Sequence, residues 1–263
     1  MTLEKKQLGS TDLILSRIGI GTVKFGRNEG VKYPSPFALP DDKEIVTLLE
    51  TAKDLGINLI DTAPAYGFSE ERIGQLLKHR SDWILTTKVG EDFSAGISTF
   101  NFSAEHINFS IERSLKNLNT DYLDIVLVHS DGNDQEIIRD SACLETLERI
   151  KQRGLIRAYG MSTKTVSGGL LAMEYCDVIM VTYNPDESQD RQVIDAAQES
   201  NKGILIKKAF NSGHALGSSE KPIDGIKRNM QFIFQAQGVT SIIIGTLNPS
   251  HLEENVNTAM RVL

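Results

Sequence analysis

A chain of 263 residues with 40% apolar content and few aromatics has the make-up of an ordinary globular protein. Its formal net charge of −7, with no compensating basic block, speaks against a nucleic-acid or anionic-membrane surface. Only two cysteines, Cys143 and Cys176, are present, which speaks against a disulfide framework in a chain able to build a large core.

The first residues, Met1 to Gln7, carry no apolar signal segment, and no later stretch reaches membrane-spanning length. The expected compartment is therefore the cytoplasm. Leu3 to Leu8 and Leu13 to Leu15 flank a Gly9-Ser10-Thr11-Asp12 turn and read as a β-hairpin. From residue 18 onward, short apolar runs alternate with longer amphipathic ones. Strands are expected at 18–21, 59–61, 84–88, 125–129, 156–160, 178–181, 204–207 and 242–244. Helix-period stretches lie near 41–55, 69–79, 103–118, 135–153, 164–174, 188–200, 222–237 and 249–259. Ser69 before Glu70-Glu71, Ser103 before Glu105, and Pro249-Ser250 supply helix starts.

Eight β–α pairs with no composition break predict one domain over residues 1–263, an α/β fold of the (β/α)8 TIM-barrel type. The hairpin falls outside the count and is expected to plug the apolar bottom of the barrel. Segments 27–40 and 211–221 are rich in Gly, Pro and Ser. Both follow strands, so both belong to the rim as candidate lids or substrate loops.

Several strand runs hand over to a polar residue as they end. Asp61 and Tyr66 lie in Asp61-Thr62-Ala63-Pro64-Ala65-Tyr66-Gly67, Lys88 closes the third strand, and His129 closes the fourth. In a parallel barrel those ends share one rim, where side chains from different strands converge. An acid, a phenol, an amine and an imidazole together can move a proton to or from a carbonyl oxygen. A buried lysine needs a carboxylate partner, and Asp61 fits that role. An ammonium beside Tyr66 would in turn stabilise its anion and make the phenol a better acid. The five histidines, at 79, 106, 129, 214 and 251, lack paired ligand spacing, so no metal is expected.

This set, in this order and inside Asp-Thr-Ala-x-x-Tyr-Gly, resembles the aldo-keto reductase family over nearly the whole chain. The resemblance implies an oxidoreductase that reduces an aldehyde or ketone to an alcohol with hydride from a nicotinamide dinucleotide. Tyr66 would be the general acid, Asp61 and Lys88 would tune it, and His129 would position the substrate. The family holds its cofactor extended across the rim, which agrees with the lack of a helix after Gly19-Ile20-Gly21. By resemblance the cofactor contacts fall on Gly21, Thr22 and Val23 after the first strand, with Asp61. Ser162 would bind the carboxamide, Thr163 stands where Asn is commoner, and Met180 stands where Gln is usual. Lys207 falls at the position of a stacking aromatic, free to meet solvent or the pyrophosphate, with Phe210 nearby. Gly245, Thr246, His251, Glu254 and Asn255 would hold the adenosine end.

Strongly NADP-dependent members place a Lys and an Arg where this chain has Gly245 and His251. The resemblance favours NADPH, with NADH possible because the contacts available to the NADPH 2′-phosphate are weakened. Substrate walls are expected from Val23, Phe25, Phe68, Phe93 and Ser130. Ser130-Asp131, where relatives carry a bulky aromatic, points to a roomier, more polar pocket for a sugar-like aldehyde. The expected partner is a small carbonyl or alcohol substrate, with a monomer as the working unit. Two alternatives remain at this point. One is a barrel aldolase or dehydratase using Lys88 as a Schiff-base nucleophile; the other is a non-catalytic dinucleotide-binding sensor.

Overall fold

The computed structural model describes residues 2–31, 33, 36–213 and 222–263. Strands β1 (Lys5–Gln7) and β2 (Ile14–Ser16) pair antiparallel. They are followed by β3 (Ile18–Gly21), α1 (Val23–Gly26), α2 (Asp42–Asp54), β4 (Leu59–Asp61), α3 (Ser69–Leu76) and β5 (Ile84–Val89). A second hairpin, β6 (Glu91–Ser94) and β7 (Ile97–Phe100), precedes α4 (Ala104–Asn117) and β8 (Leu123–His129). Next come α5 (Asp134–Asp140), α6 (Cys143–Gln152), β9 (Ile156–Ser162), α7 (Val166–Ala172) and β10 (Val178–Thr182). The chain ends with α8 (Arg191–Glu199), β11 (Gly203–Lys207), α9 (Pro222–Phe234), β12 (Ser241–Ile244) and α10 (Pro249–Val262).

Strands β3, β4, β5, β8, β9, β10, β11 and β12 close into a parallel barrel, with β12 pairing back onto β3. Alternation along each strand sorts its side chains. Ile125 and Leu127 of β8 point inward, with Leu59, Ile84, Ala158, Val178, Met180 and Leu205 from other strands. Their neighbours Val126, Val128, Ile60, Leu85, Ile179 and Ile206 point outward and pack under the helices. Leu8, Leu13 and Leu15 of the first hairpin join the inner cluster, so that hairpin plugs the barrel as expected. Gly203, which opens β11, has no room for a Cβ because Leu8 occupies the space.

The strands agree with the sequence to within two residues at each end; a single helical turn, α1, follows β3 where no helix was expected, and two further departures have local causes. The stretch 135–153 is two helices, because Ser141 leaves the helical conformation (ψ 153°). Its hydroxyl donates to the Ile137 carbonyl at 2.6 Å and accepts from the Cys143 N–H at 3.3 Å. The hairpin at 91–100 is additional; its turn is Ala95-Gly96, both with positive φ (51° and 81°). Of the two irregular segments, 27–40 has no helix or strand in its described residues, and 211–213 is a single 3-10 turn. Residues 32, 34, 35 and 214–221 of those segments lie outside the described residues.

Leu8→Ala should cost about 2–5 kcal/mol by opening a cavity under the inner cluster. Urea unfolding measures it, and a loss below about 1 kcal/mol would contradict the plug's role in holding the barrel.

Candidate active site

The same alternation that fills the barrel with apolar groups sets a ring of polar ones above them. Continuing the inward parity, β4 ends on Asp61, β5 reaches Lys88, β8 ends on His129, β9 on Ser162 and β11 on Lys207. Lys88 is 2% exposed. Its Nζ donates to Asp61 Oδ1 at 2.7 Å and to the Thr62 carbonyl at 2.8 Å. Burial works to strip the ammonium of its proton, but Asp61 and Tyr66 outweigh it and hold the Lys88 pKa above the ordinary lysine value. A lysine so paired stays charged, so it is a poor nucleophile for Schiff-base chemistry.

Tyr66 comes not from a strand but from the 3-10 turn Pro64–Tyr66. Gly67 ends that turn at φ 63°, and its Cα packs directly on the Gly26 carbonyl, where a Cβ would overlap. Buried hydroxyls hold the same loop from below. Thr62 Oγ1 donates to Ser69 Oγ at 3.0 Å, and Ser69 Oγ lies 3.0 Å from the Thr22 carbonyl. The Lys88 ammonium consequently sits 4.7 Å from the centre of the Tyr66 ring. The expected lowering of the Tyr66 pKa is not found. Lys88 lowers it, but burial and the Asp61 charge prevail and push it up to about 12. The phenol therefore keeps its proton at any ordinary pH, available as a donor.

His129 faces Tyr66 edge-on, ring centres 6.3 Å apart. On its other side stands Glu91, a residue the sequence reading missed, carried by the unexpected hairpin. Glu91 Oε2 lies 2.7 Å from His129 Nδ1. The contact is short but not a straight hydrogen bond, so its strength is more Coulombic than directional. Ser98 Oγ, across the hairpin, donates to Glu91 Oε1 at 2.6 Å. The sequence signal was an acidic residue directly after Gly90 and three past Lys88, with no periodicity long enough to mark a strand.

A cavity of about 650 Å³ opens above this ring, within the range of small-molecule sites (about 300–1,000 Å³). Among the expected residues it is lined by Gly21, Thr22, Val23, Asp61, Tyr66, Lys207, Phe210, Gly245, Thr246, His251, Glu254 and Asn255. Loop residues not foreseen add to it: Tyr33 and Phe37 meet edge to face, with Lys24 Nζ 4.3 Å from the Tyr33 ring centre.

Other expected positions lie elsewhere. Phe25 is fully buried in the outer core, because the single turn of α1 sends its ring away from Val23 and Lys24. Phe68 is exposed just before α3, outside the cavity lining. Phe93 does not line the cavity either; it lies under the Arg27 guanidinium, 3.4 Å from ring centre. Ser130 is buried, its hydroxyl accepting from the Gly132 N–H at 2.9 Å, which removes the basis for a polar pocket wall there. Met180 belongs to the apolar inner cluster beneath the cavity. Thr163 is buried, its hydroxyl facing Gly169 of α7. Ser162 is occupied: Lys207 Nζ, turned inward rather than to solvent, donates to its Oγ at 2.8 Å and to the Thr163 carbonyl at 2.7 Å. Burial, Lys208 and Lys88 lower the Lys207 pKa to about 7.

The family model for the aldo/keto reductase family matches residues 17–231, most of the barrel. The chain belongs to the aldo/keto reductase family. A solved structure from Pseudomonas aeruginosa described as an aldo-keto reductase is 50% identical, with a TM-score of 0.90, over 99% of this chain and 96% of that one. D-threo-aldose 1-dehydrogenase from a Pseudomonas species is 28% identical over 84% of each chain. The NADH-specific methylglyoxal reductase of Escherichia coli is 28% identical over 92% of this chain and 78% of its own. As an aldo/keto reductase the protein is an oxidoreductase that uses a nicotinamide cofactor.

Removing one member of the buried pair should be costly. Lys88→Met leaves the Asp61 carboxylate buried without its cation and should lower stability by about 3–5 kcal/mol. The double variant Asp61→Leu/Lys88→Met should regain much of that in urea unfolding. A Lys88→Met protein within about 1 kcal/mol of the parent would contradict the pairing.

Proposed function

We propose that this chain reduces a small aldehyde or ketone, with Tyr66 giving the proton to the carbonyl oxygen. The observation that carries the reading is the charged Lys88–Asp61 pair, 2.7 Å apart, under the ring of a protonated Tyr66 on the cavity floor. As oxygen gains charge, the Lys88 ammonium stabilises the phenolate that Tyr66 becomes on giving up its proton. Asp61 keeps that ammonium charged. His129 lies beside Tyr66 and orients the substrate oxygen. The bound dinucleotide supplies the hydride.

The residues present fit such a cofactor. Asn255 is buried on the cavity wall, and its Oδ1 has no partner among the described residues, leaving an acceptor for an adenine amino group. Gly21, Thr22 and Val23 would hold one side of the nicotinamide end, and Lys207 and Phe210 the other. Ser162 can meet the carboxamide only by sharing or releasing its bond to Lys207. Thr163 and Met180, set back from the cavity, would act on the cofactor through Ser162 and the floor. Gly245, Thr246, His251 and Glu254 would take the adenosine end. Both dinucleotides are expected to bind. NADPH is favoured on family precedent, and the absence of a guanidinium at Gly245 and His251 narrows the margin.

Val23, the one expected substrate residue on the cavity lining, leaves that wall small. We read residues 1–263 as one domain working as a cytoplasmic monomer. The support is a single barrel closed by strands from 18 to 244. In addition, no helix among the described residues is long and apolar enough to cross a membrane.

Tyr66→Phe should lower kcat for reduction of 4-nitrobenzaldehyde by about 100- to 10,000-fold. NADPH affinity should stay within about threefold of the parent value. Activity retained within tenfold would remove Tyr66 as the proton source.

A further inference from the structure

A histidine that is to hydrogen-bond a carbonyl oxygen must present an N–H to it, and which nitrogen carries the proton depends on its other partner. His129 Nδ1 and Glu91 Oε2 are 2.7 Å apart, off the line of a straight hydrogen bond, so the carboxylate acts on that nitrogen mainly through its charge and disfavours a bare lone pair there. Burial disfavours the Glu91 anion, but His129, the Ser98 hydroxyl and Arg27 outweigh it and bring the Glu91 pKa down to about 2. Glu91 is thus a carboxylate, and its charge beside Nδ1 favours the ring's hydrogen on that nitrogen. In a neutral ring, Nε2 then carries a lone pair.

We propose that Glu91 is a positioning residue that pins the proton of His129 on Nδ1, so that His129 donates to a substrate carbonyl only as the doubly protonated imidazolium. The neutral ring instead accepts at Nε2, which matches the hydroxyl of an alcohol rather than a carbonyl oxygen. This role rests on the carbonyl-reductase reading of the site. It gives the hairpin a function: β6 carries Glu91, β7 carries the serine that holds it, and the hairpin packs on the turn bearing Tyr66.

The groups facing His129 set the pH at which it switches. Burial lowers its pKa below the ordinary histidine value, and the Lys88 and Lys207 ammoniums, from β5 and β11, lower it further. Glu91, from β6, opposes them, and Tyr66, a neutral phenol, faces the ring from its 3-10 turn. The imidazolium is therefore present at acid pH and lost as pH rises. The carbonyl-reduction kcat/KM should fall through the same titration.

The test combines 15N NMR of histidine-labelled protein with the pH profile of 4-nitrobenzaldehyde reduction by NADPH. In the parent protein above its titration, His129 should show a protonated Nδ1 and an unprotonated Nε2. In Glu91→Leu the midpoint should drop by about 1–3 pH units. The Nε2–H tautomer should appear, and the pH dependence of kcat/KM should move with it. Glu91→Asp should restore the parent tautomer and profile, which separates positioning from a general folding defect. A parent His129 protonated on Nε2 when neutral, or a Glu91→Leu protein with unchanged midpoint and profile, would overturn the proposal. Because the NMR readout needs no turnover, an Nδ1–H ring in a protein that reduces no aldehyde would uphold the Glu91 assignment and sink the reductase reading alone.

Discussion

The ion pair between Lys88 and Asp61 is the constraint around which the rest of the site is arranged. An ammonium 2% exposed at the top of an apolar barrel is tolerable only with a carboxylate in contact and a further acceptor, here the Thr62 carbonyl. To bring those acceptors to the lysine, β4 must end on Asp61 beside β5, with Asp61 opposite Thr86 in the parallel register. The chain must then fold back at once so that Tyr66 comes within 4.7 Å of the ammonium. The Gly26–Gly67 approach and the Thr22, Thr62 and Ser69 hydroxyls hold that fold-back in place. The result is a fixed positive charge under a protonated phenol, the arrangement a developing alkoxide requires.

How the charges are shared follows from burial. Three cationic or potentially cationic groups, Lys88, His129 and Lys207, stand on the rim close enough to repel one another. Lys88 donates a hydrogen bond to the Asp61 carboxylate, and it remains charged. His129 has Glu91, but desolvation and the charges of Lys88 and Lys207 outweigh it, and its pKa falls. Lys207 has only the Ser162 hydroxyl and the Thr163 carbonyl as its nearest acceptors, and its pKa falls to about 7. The ordering places a permanent charge near Tyr66, with a lysine that titrates at about 7 and a histidine of lowered pKa on the flanks.

Most of this was legible in the sequence where a strong period carried it. The eight barrel strands and the leucine-bearing hairpin under them are set off by turn signals, and they form where expected. Asp61, Lys88 and His129 were legible because inward parity follows from strand ends alone. Glu91 was not: its strand is four residues long, polar, and paired with Ile97–Phe100 instead of the barrel. Phe25 and Ser130 misled for the same physical reason. Both lie in the first residues after a strand, where one turn of helix or a Ser130–Gly132 hydrogen bond decides the side chain's direction. Lys207 was placed correctly on its strand, but its inward rotamer depends on a hydroxyl from another strand, 45 positions away in sequence.

The claim that the cavity above the Lys88–Asp61 pair receives a nicotinamide dinucleotide is tested most directly by titrating the protein with NADPH and with NADH, following nicotinamide emission. The account predicts saturable binding with a blue-shifted, enhanced emission for at least one of the two. It also predicts weakened binding when Asn255 is replaced by Leu, which would place the adenosine end against α10. Emission that rises linearly to high micromolar concentration for both dinucleotides, with no saturation, would contradict it.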